Sequence, residues 1–274
     1  MVWSPRFSLA VRLALLSSLL PHLLGVAVAQ VTGDVTVSAN ATWPQGTYSL
    51  DSLTVNGGAV LTIAGGSTVT VTGAVTVAAN SSIVLQSANN AAQVNGQWAG
   101  VGVTINAGSV QVDAGSSINA DGQGYAGGYP EPGNGPGGGA GGTTTGGSYG
   151  GVGYNSGGTT YGSQFQPVDL GSSASGFCAY GGCHWAGSGG GAIRLVVTGT
   201  LTNNGVISAN GGGGESGGAG GSVWVTTGTL TGSGIFTAIG GSGSGSGGGG
   251  GRVAVYYSTG SGFTGFTAST AVGG

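Results

Sequence analysis

Lysine does not occur in this 274-residue chain, and charged residues of all kinds make up 4% of it. A globular protein usually carries about 25%. Four Arg stand against seven carboxylates, and no stretch gathers cations into a patch. That excludes an electrostatic grip on nucleic acid and gives no attraction to anionic lipid. A Walker phosphate loop needs Gly-Lys-Ser/Thr, so the many Gly runs cannot form one. Beside the two Cys, Cys178 and Cys183, only His184 lies near enough in sequence to join them, so a four-ligand zinc site is not indicated there. After residue 29 no segment approaches the ~20 continuous apolar residues that span a bilayer.

The first 29 residues do carry an apolar run. Arg6 and Arg12 precede a mostly apolar stretch at 13–29, which ends Ala27-Val28-Ala29 before Gln30. These features read as a secretory signal peptide. The run is interrupted by Pro21 and His22 and ends on small residues, which argues against a membrane anchor. Removal leaves residues 30–274 as one domain. Arg194 and Arg252 then face five Asp and two Glu, a net charge near −5. Export suits a chain whose solubility rests on Ser, Thr and Asn. Asn40-Ala41-Thr42 and Asn80-Ser81-Ser82 are glycosylation acceptors if the host is eukaryotic.

Glycine is what the chain has most of, 67 residues, and it punctuates a repeat. GGGAIRLVVTGTLTNNGVISANGG at 189–212 is followed by GAGGSVWVTTGTLTGSGIFTAIGG at 218–241 and by the clipped GGGGGRVAVYYS at 247–258. A looser copy lies at 101–124. Repeats of this length, built of short β-branched runs between Gly, mark a solenoid. Superposed, the copies place Ile193, Val223 and Val253 in one column and Leu195, Val225 and Val255 in another. Leu201 falls with Leu230, and Ile207 with Phe236. Strand residues alternate between faces, so these columns point inward and Arg194 and Trp224 share an outward one. The expected fold is all-β, a parallel β-helix (β-solenoid). Gly199/Gly228 and Gly205/Gly234 are expected to turn its corners with φ > 0.

Earlier, residues 31–47 read as the first turn, with Trp43 covering an open end of the interior. Residues 48–87 supply about two more coils. Residues 121–188 break the rhythm, with few aliphatic residues and many Gly and Tyr. They sit where later copies carry shorter Gly-rich corners, so they form an insertion rather than a domain. Its Gly runs can lie side by side as polyproline II-type segments. Residues 259–274 read as a frayed end or as a cut in a longer solenoid.

The phrase GTLT…G-x-[IF]-x-A-x-GG, a Gly-rich loop, then GG-[AS]-[IV]-x-[LV], together with YGSQFQPVDLG at 161–171, resembles large glycine-rich secreted β-solenoid proteins. Those occur on bacterial and some protist surfaces and are similar in style to adhesin and autotransporter passenger regions. The resemblance covers 101–257 and implies a role in surface structure or adhesion. Cys178 and Cys183 interrupt a part that is usually plain Gly.

Two Cys five apart in an exported chain are expected to pair as a disulfide pinning the insertion. The redox motif would be Cys-x-x-Cys. His184 could serve as a general base, and G-x-S-x-G occurs around Ser148 and Ser216, but neither lies in a strand-to-helix elbow. Polysaccharide lyases and hydrolases on β-helices need a cationic base with calcium-holding acids, or clustered Asp. Here Asp34, Asp51, Asp113, Asp121 and Asp169 are scattered, and only Asp113 and Asp121 come near one another, at the root of the insertion. Outward Thr68, Thr70 and Thr72 suggest an ice-binding array, but their columns read Ala/Ser/Arg and Arg/Trp/Ala in later copies. The expectation is therefore a secreted, non-enzymatic structural or adhesive surface module, without cofactor or metal. Its partner would be a glycan or another surface protein, and its oligomeric state is left open. Candidate contact residues are Tyr125, Tyr129, Tyr154, Tyr161, Tyr180, His184 and Trp185. A carbohydrate-binding or polysaccharide-degrading β-helix is the alternative, and an ice-binding solenoid the lesser one.

Overall fold

A computed structural model describes residues 31–274 except 128–131, 142, 157, 180–181 and 261, and without the side chains of 177–184. The expected signal peptide at 1–29, Tyr129 and Tyr180 lie outside the described residues, as do the side chains of Cys178, Cys183 and His184.

The protein is all-β. Among the described residues the only helical element is one 3-10 turn at Gly265–Ala268. One sheet runs, neighbour to neighbour, through Asp34–Val37, Ser52–Val55, Thr68–Val77, Val103–Val112, Ala192–Asn203, Ser222–Thr231 and Arg252–Thr259, with Thr47–Leu50 also on Thr68–Val77. A second runs through Ala41–Trp43, Val60–Ile63, Ser82–Leu85, Ser117–Asn119, Val206–Ser208 and Ile235–Thr237. All pairings within both are parallel.

The register is the one the repeats dictate. Ile193 pairs with Val223 and Val223 with Val253, Leu195 with Val225 and Val225 with Val255, and Ile207 with Phe236. The looser copy joins through Val103, Ile105, Val110 and Ile118. Inward residues of both sheets form one apolar cluster, in which Leu53, Ile63, Ile105, Leu195 and Phe236 are fully buried. Burial of each such side chain contributes roughly 1.5–3 kcal/mol. Trp43 joins that cluster and stacks on Tyr48, ring centroids 4.7 Å apart.

Two expectations are corrected. Gly199, Gly228, Gly205 and Gly234 are absent from the positive-φ residues, so the corners do not need glycine for its φ. They need it for space. A Cβ on Gly108 would lie 2.5 Å from the carbonyl oxygen of Thr72, one on Gly199 2.7 Å from that of Gly108, and one on Gly228 2.9 Å from that of Gly199. These glycines stack at the bulge where each long strand bends and the register shifts. Nor is 259–274 frayed. Phe263 packs on Phe236 (5.6 Å) and Phe266 (4.7 Å), Thr270 bridges to Thr237, and the Gly274 amide donates to the Gly248 carbonyl at 2.9 Å.

Candidate functional site

The insertion is seated on the repeats largely by backbone hydrogen bonds through glycine. In 217–221 successive amides turn to different neighbours. Gly217 and Gly220 donate to Ser246 and Gly249. Gly218 and Gly221 donate to Gly212 and Ala209, and Ala219 donates to Ser172 in the insertion. Each neighbour recurs every third residue, the period of a three-residue extended helix. The same step joins Gly187 and Gly190 to Ser216 and Ala219, and Gly171 and Ala174 to Gly190 and Gly187 in the opposite direction. The Gly runs thus lie side by side as expected. Gly147 accepts from Gly249 and donates to Gly217, and Gly151 donates to Gly250, so the insertion ties the last repeats together.

Its tyrosines anchor it. Tyr125 is 3% exposed, meets Trp98 edge-on at 5.1 Å and accepts a hydrogen bond from the Gly100 amide. Tyr149 is fully buried and shares a 2.7 Å hydrogen bond with Ser222, whose hydroxyl donates to the Asp169 carbonyl. Tyr161 donates to the Leu170 carbonyl, and its own carbonyl accepts from Arg252 at 2.9 Å. Burial pushes the Tyr149 hydroxyl up to about 12 and that of Tyr161 well above its ordinary value. Burial likewise raises the Asp169 carboxyl, against the pull of Arg252. Tyr125 and Tyr161 are therefore seam residues rather than open contact residues. Tyr154 (62% exposed) and Trp185 (69%) do face solvent.

Sequence reasoning missed the rim beside this seam. Phe165 is exposed, and its carbonyl accepts from the exposed Tyr256 hydroxyl at 2.8 Å. Val168 and Asp169 face Gly100–Thr104 and Ala192–Arg194 across a cleft of about 220 Å³. That is below the ~300 Å³ at which small-molecule sites begin, so it suits a surface contact rather than an engulfed ligand. On the strands next to it the Arg194 guanidinium lies 4.5 Å over the Trp224 ring, a cation–π pair in the outward column the repeats indicated. The signal for Phe165 lay in its neighbourhood, the motif at 161–171, rather than in its residue type.

No catalytic constellation forms among the described residues. Ser148 is buried with its hydroxyl bonded to Ser156 and to the Gly153 amide, and Ser216 is buried as well. Asp121 is held by Ser208 and the Asn210 amide, Asp113 by Gln111, and Asp34 by Ser52. Strand Ser117–Asn119 separates Asp113 from Asp121. No group of three or more His, Cys, Asp or Glu that could hold a metal occurs among the described residues. Cys178 and Cys183 are directly opposed in an antiparallel pair formed by Phe177–Ala179 and Gly182–His184. Asn40 and Asn80 are exposed. No protein family, curated protein or solved structure matches the chain.

Proposed function

We propose that residues 30–274 wind as a parallel β-helix, exported after loss of 1–29, and act as a rigid, non-enzymatic surface module of structural or adhesive kind. Consecutive repeats paired in parallel over one apolar interior, with register shifts at the stacked glycines, support the winding. The observation that carries the role is the glycine-bonded seating of the insertion on the last repeats. It holds Phe165, Tyr154 and Trp185 of the insertion exposed, with the Phe165 carbonyl bonded to the exposed Tyr256 of the last repeat, on a scaffold that loses little freedom when it binds. Cys178 and Cys183 pair as the disulfide that closes their own hairpin. Directly opposed residues in an antiparallel pair sit 4.5–5.5 Å apart at Cα, inside the range a disulfide spans.

Aromatic faces flanked by hydroxyls and a carboxylate suit a neutral glycan better than a charged partner. The test is a glycan panel with the exported protein, read first for binding and then for new reducing ends or unsaturated products. The expected result is binding without turnover, lost in a Phe165→Ala, Trp185→Ala double variant that keeps its melting temperature. Turnover abolished by Asp113→Asn or His184→Ala would instead establish the polysaccharide-degrading alternative.

A further inference from the structure

The first sheet bends at its stacked corner glycines, and its outer side therefore has two faces. The half before the bend carries Thr68, Thr70, Arg194 and Trp224. The half after it carries a column that the comparison of repeats overlooked. Thr36 pairs with Thr54, Thr54 with Thr76, Thr76 with Gln111, Gln111 with Thr202, and Thr202 with Thr231. Five of those six positions are Thr. Two residues earlier in the same strands runs a second column of small residues, in which Ser109, Thr200 and Thr229 stand beside Gln111, Thr202 and Thr231. All twelve positions are at least partly exposed.

We propose that this face binds ice. Neighbouring parallel strands stand about 4.8 Å apart and alternate residues about 6.6 Å apart. The two columns thus present a near-rectangular mesh of hydroxyls and methyls on the scale of the oxygen repeat of an ice surface. Six strands extend it to about 24 Å. Thr is β-branched and stiff at χ1, and the Thr202 and Thr231 hydroxyls share a 3.1 Å hydrogen bond that fixes both side chains. Little side-chain entropy remains to be lost on binding. Ice is a neutral partner and the face matches it. Asp34 is its one charged member, at the end of the second column and bonded to Ser52 at 2.6 Å. An ammonium here would hold its own strong hydration shell and break the lattice water. Gln111 is the flaw in the array, its amide turned aside to Asp113 at 2.7 Å.

The experiment measures thermal hysteresis and ice-crystal shaping with the full exported chain. The wild type is expected to shape ice, Thr76→Lys and Thr202→Lys to lose the effect, and Gln111→Thr to widen the hysteresis gap by completing the column. Thr47→Lys, on the other outer face, is expected to match the wild type. Thr202→Val, equal in volume, guards against loss through misfolding, since it keeps the methyl array and is expected to retain most of the effect. Absence of ice shaping by the wild type overturns the proposal, as does equal loss in Thr47→Lys. A dimer that Thr76→Lys dissociates without any effect on ice also overturns it, assigning the face to a second copy. The aromatic rim takes no part in these measurements, so failure here leaves the glycan test standing and the reverse.

Discussion

Tyr149 concentrates the chemistry of the seam in one side chain. It is fully buried, its hydroxyl bonds Ser222, and the Arg252 guanidinium lies 5.3 Å from its ring. Burial is the main reason its hydroxyl moves from 10.0 to about 12, with Asp169 adding to the rise and Ser222 and Arg252 opposing it. The folded state therefore holds this proton more tightly than the unfolded chain. Its contribution is intact below the unfolded value near 10 and is lost as pH rises through about 12. Two pH units correspond to about 3 kcal/mol. Tyr161 is shifted in the same direction. Chemical denaturation followed across this alkaline range is expected to show a fall in stability that is smaller in Tyr149→Phe. A Phe variant with an undiminished fall would place the titration elsewhere.

The glycine segments behave as an element in their own right, though they have no regular strand along most of their length. At Gly220 a Cβ would collide with the Ala238 carbonyl and come within 2.6 Å of the Gly251 amide nitrogen. Both are backbone atoms of neighbouring segments and cannot rotate away. Gly220→Ala is expected to cost about 3 kcal/mol by overpacking. At Gly58, φ is +77° and a Cβ would meet nothing within 4 Å, so alanine there is expected to cost only the left-handed penalty of about 1 kcal/mol. Equal melting temperatures for the two variants would refute the close packing of these segments. The contrast also shows what the sequence could reveal. The columns through Ile193, Leu195 and Ile207 were legible because aliphatic residues alternate with polar ones at a period of two. A run of glycine carries no such alternation, so the letters suggested side-by-side polyproline II-type segments but not which amide bonds which neighbour. The Thr36–Thr231 column was hidden for another reason. The strands bend at Gly73, Gly108, Gly199 and Gly228, and residues before the bend do not share a face with those after it. Phe263 and Phe266 looked unplaced because their partners, Phe236 and Tyr257, are close only after the chain has folded.

Stacked repeats contact only their neighbours, so the stability of such an array is close to a sum of local terms. Here the insertion breaks that rule on one side. Its segments bond to 189–190, to 217–219 and to 247–250, joining three successive repeats by backbone hydrogen bonds. Toward the N-terminal repeats it reaches as far as Asn90, through the amide of Ala126 and the Gly124 carbonyl, and through Tyr125 to Gly100. The strands at 34–85 rest on ladder bonds, the shared apolar interior and local side-chain hydrogen bonds such as those of Asn40 and Ser81. Glycine loses more backbone freedom on folding than any other residue, and the C-terminal half holds the long Gly runs. Each bonded amide there offsets that loss only while its neighbours are in place, which couples the three repeats into one cooperative unit. Hydrogen exchange is therefore expected to show two levels of opening. Amides of Val69, Val75 and Ile83 should exchange through a lower-energy opening, and those of Leu195, Val225 and Gly220 should share a higher one. The Gly220→Ala substitution should lower the second level and leave the first where it was. A single level common to both halves, or a drop of both in the variant, would mean that the apolar interior and not the glycine seam sets the cooperativity of the molecule.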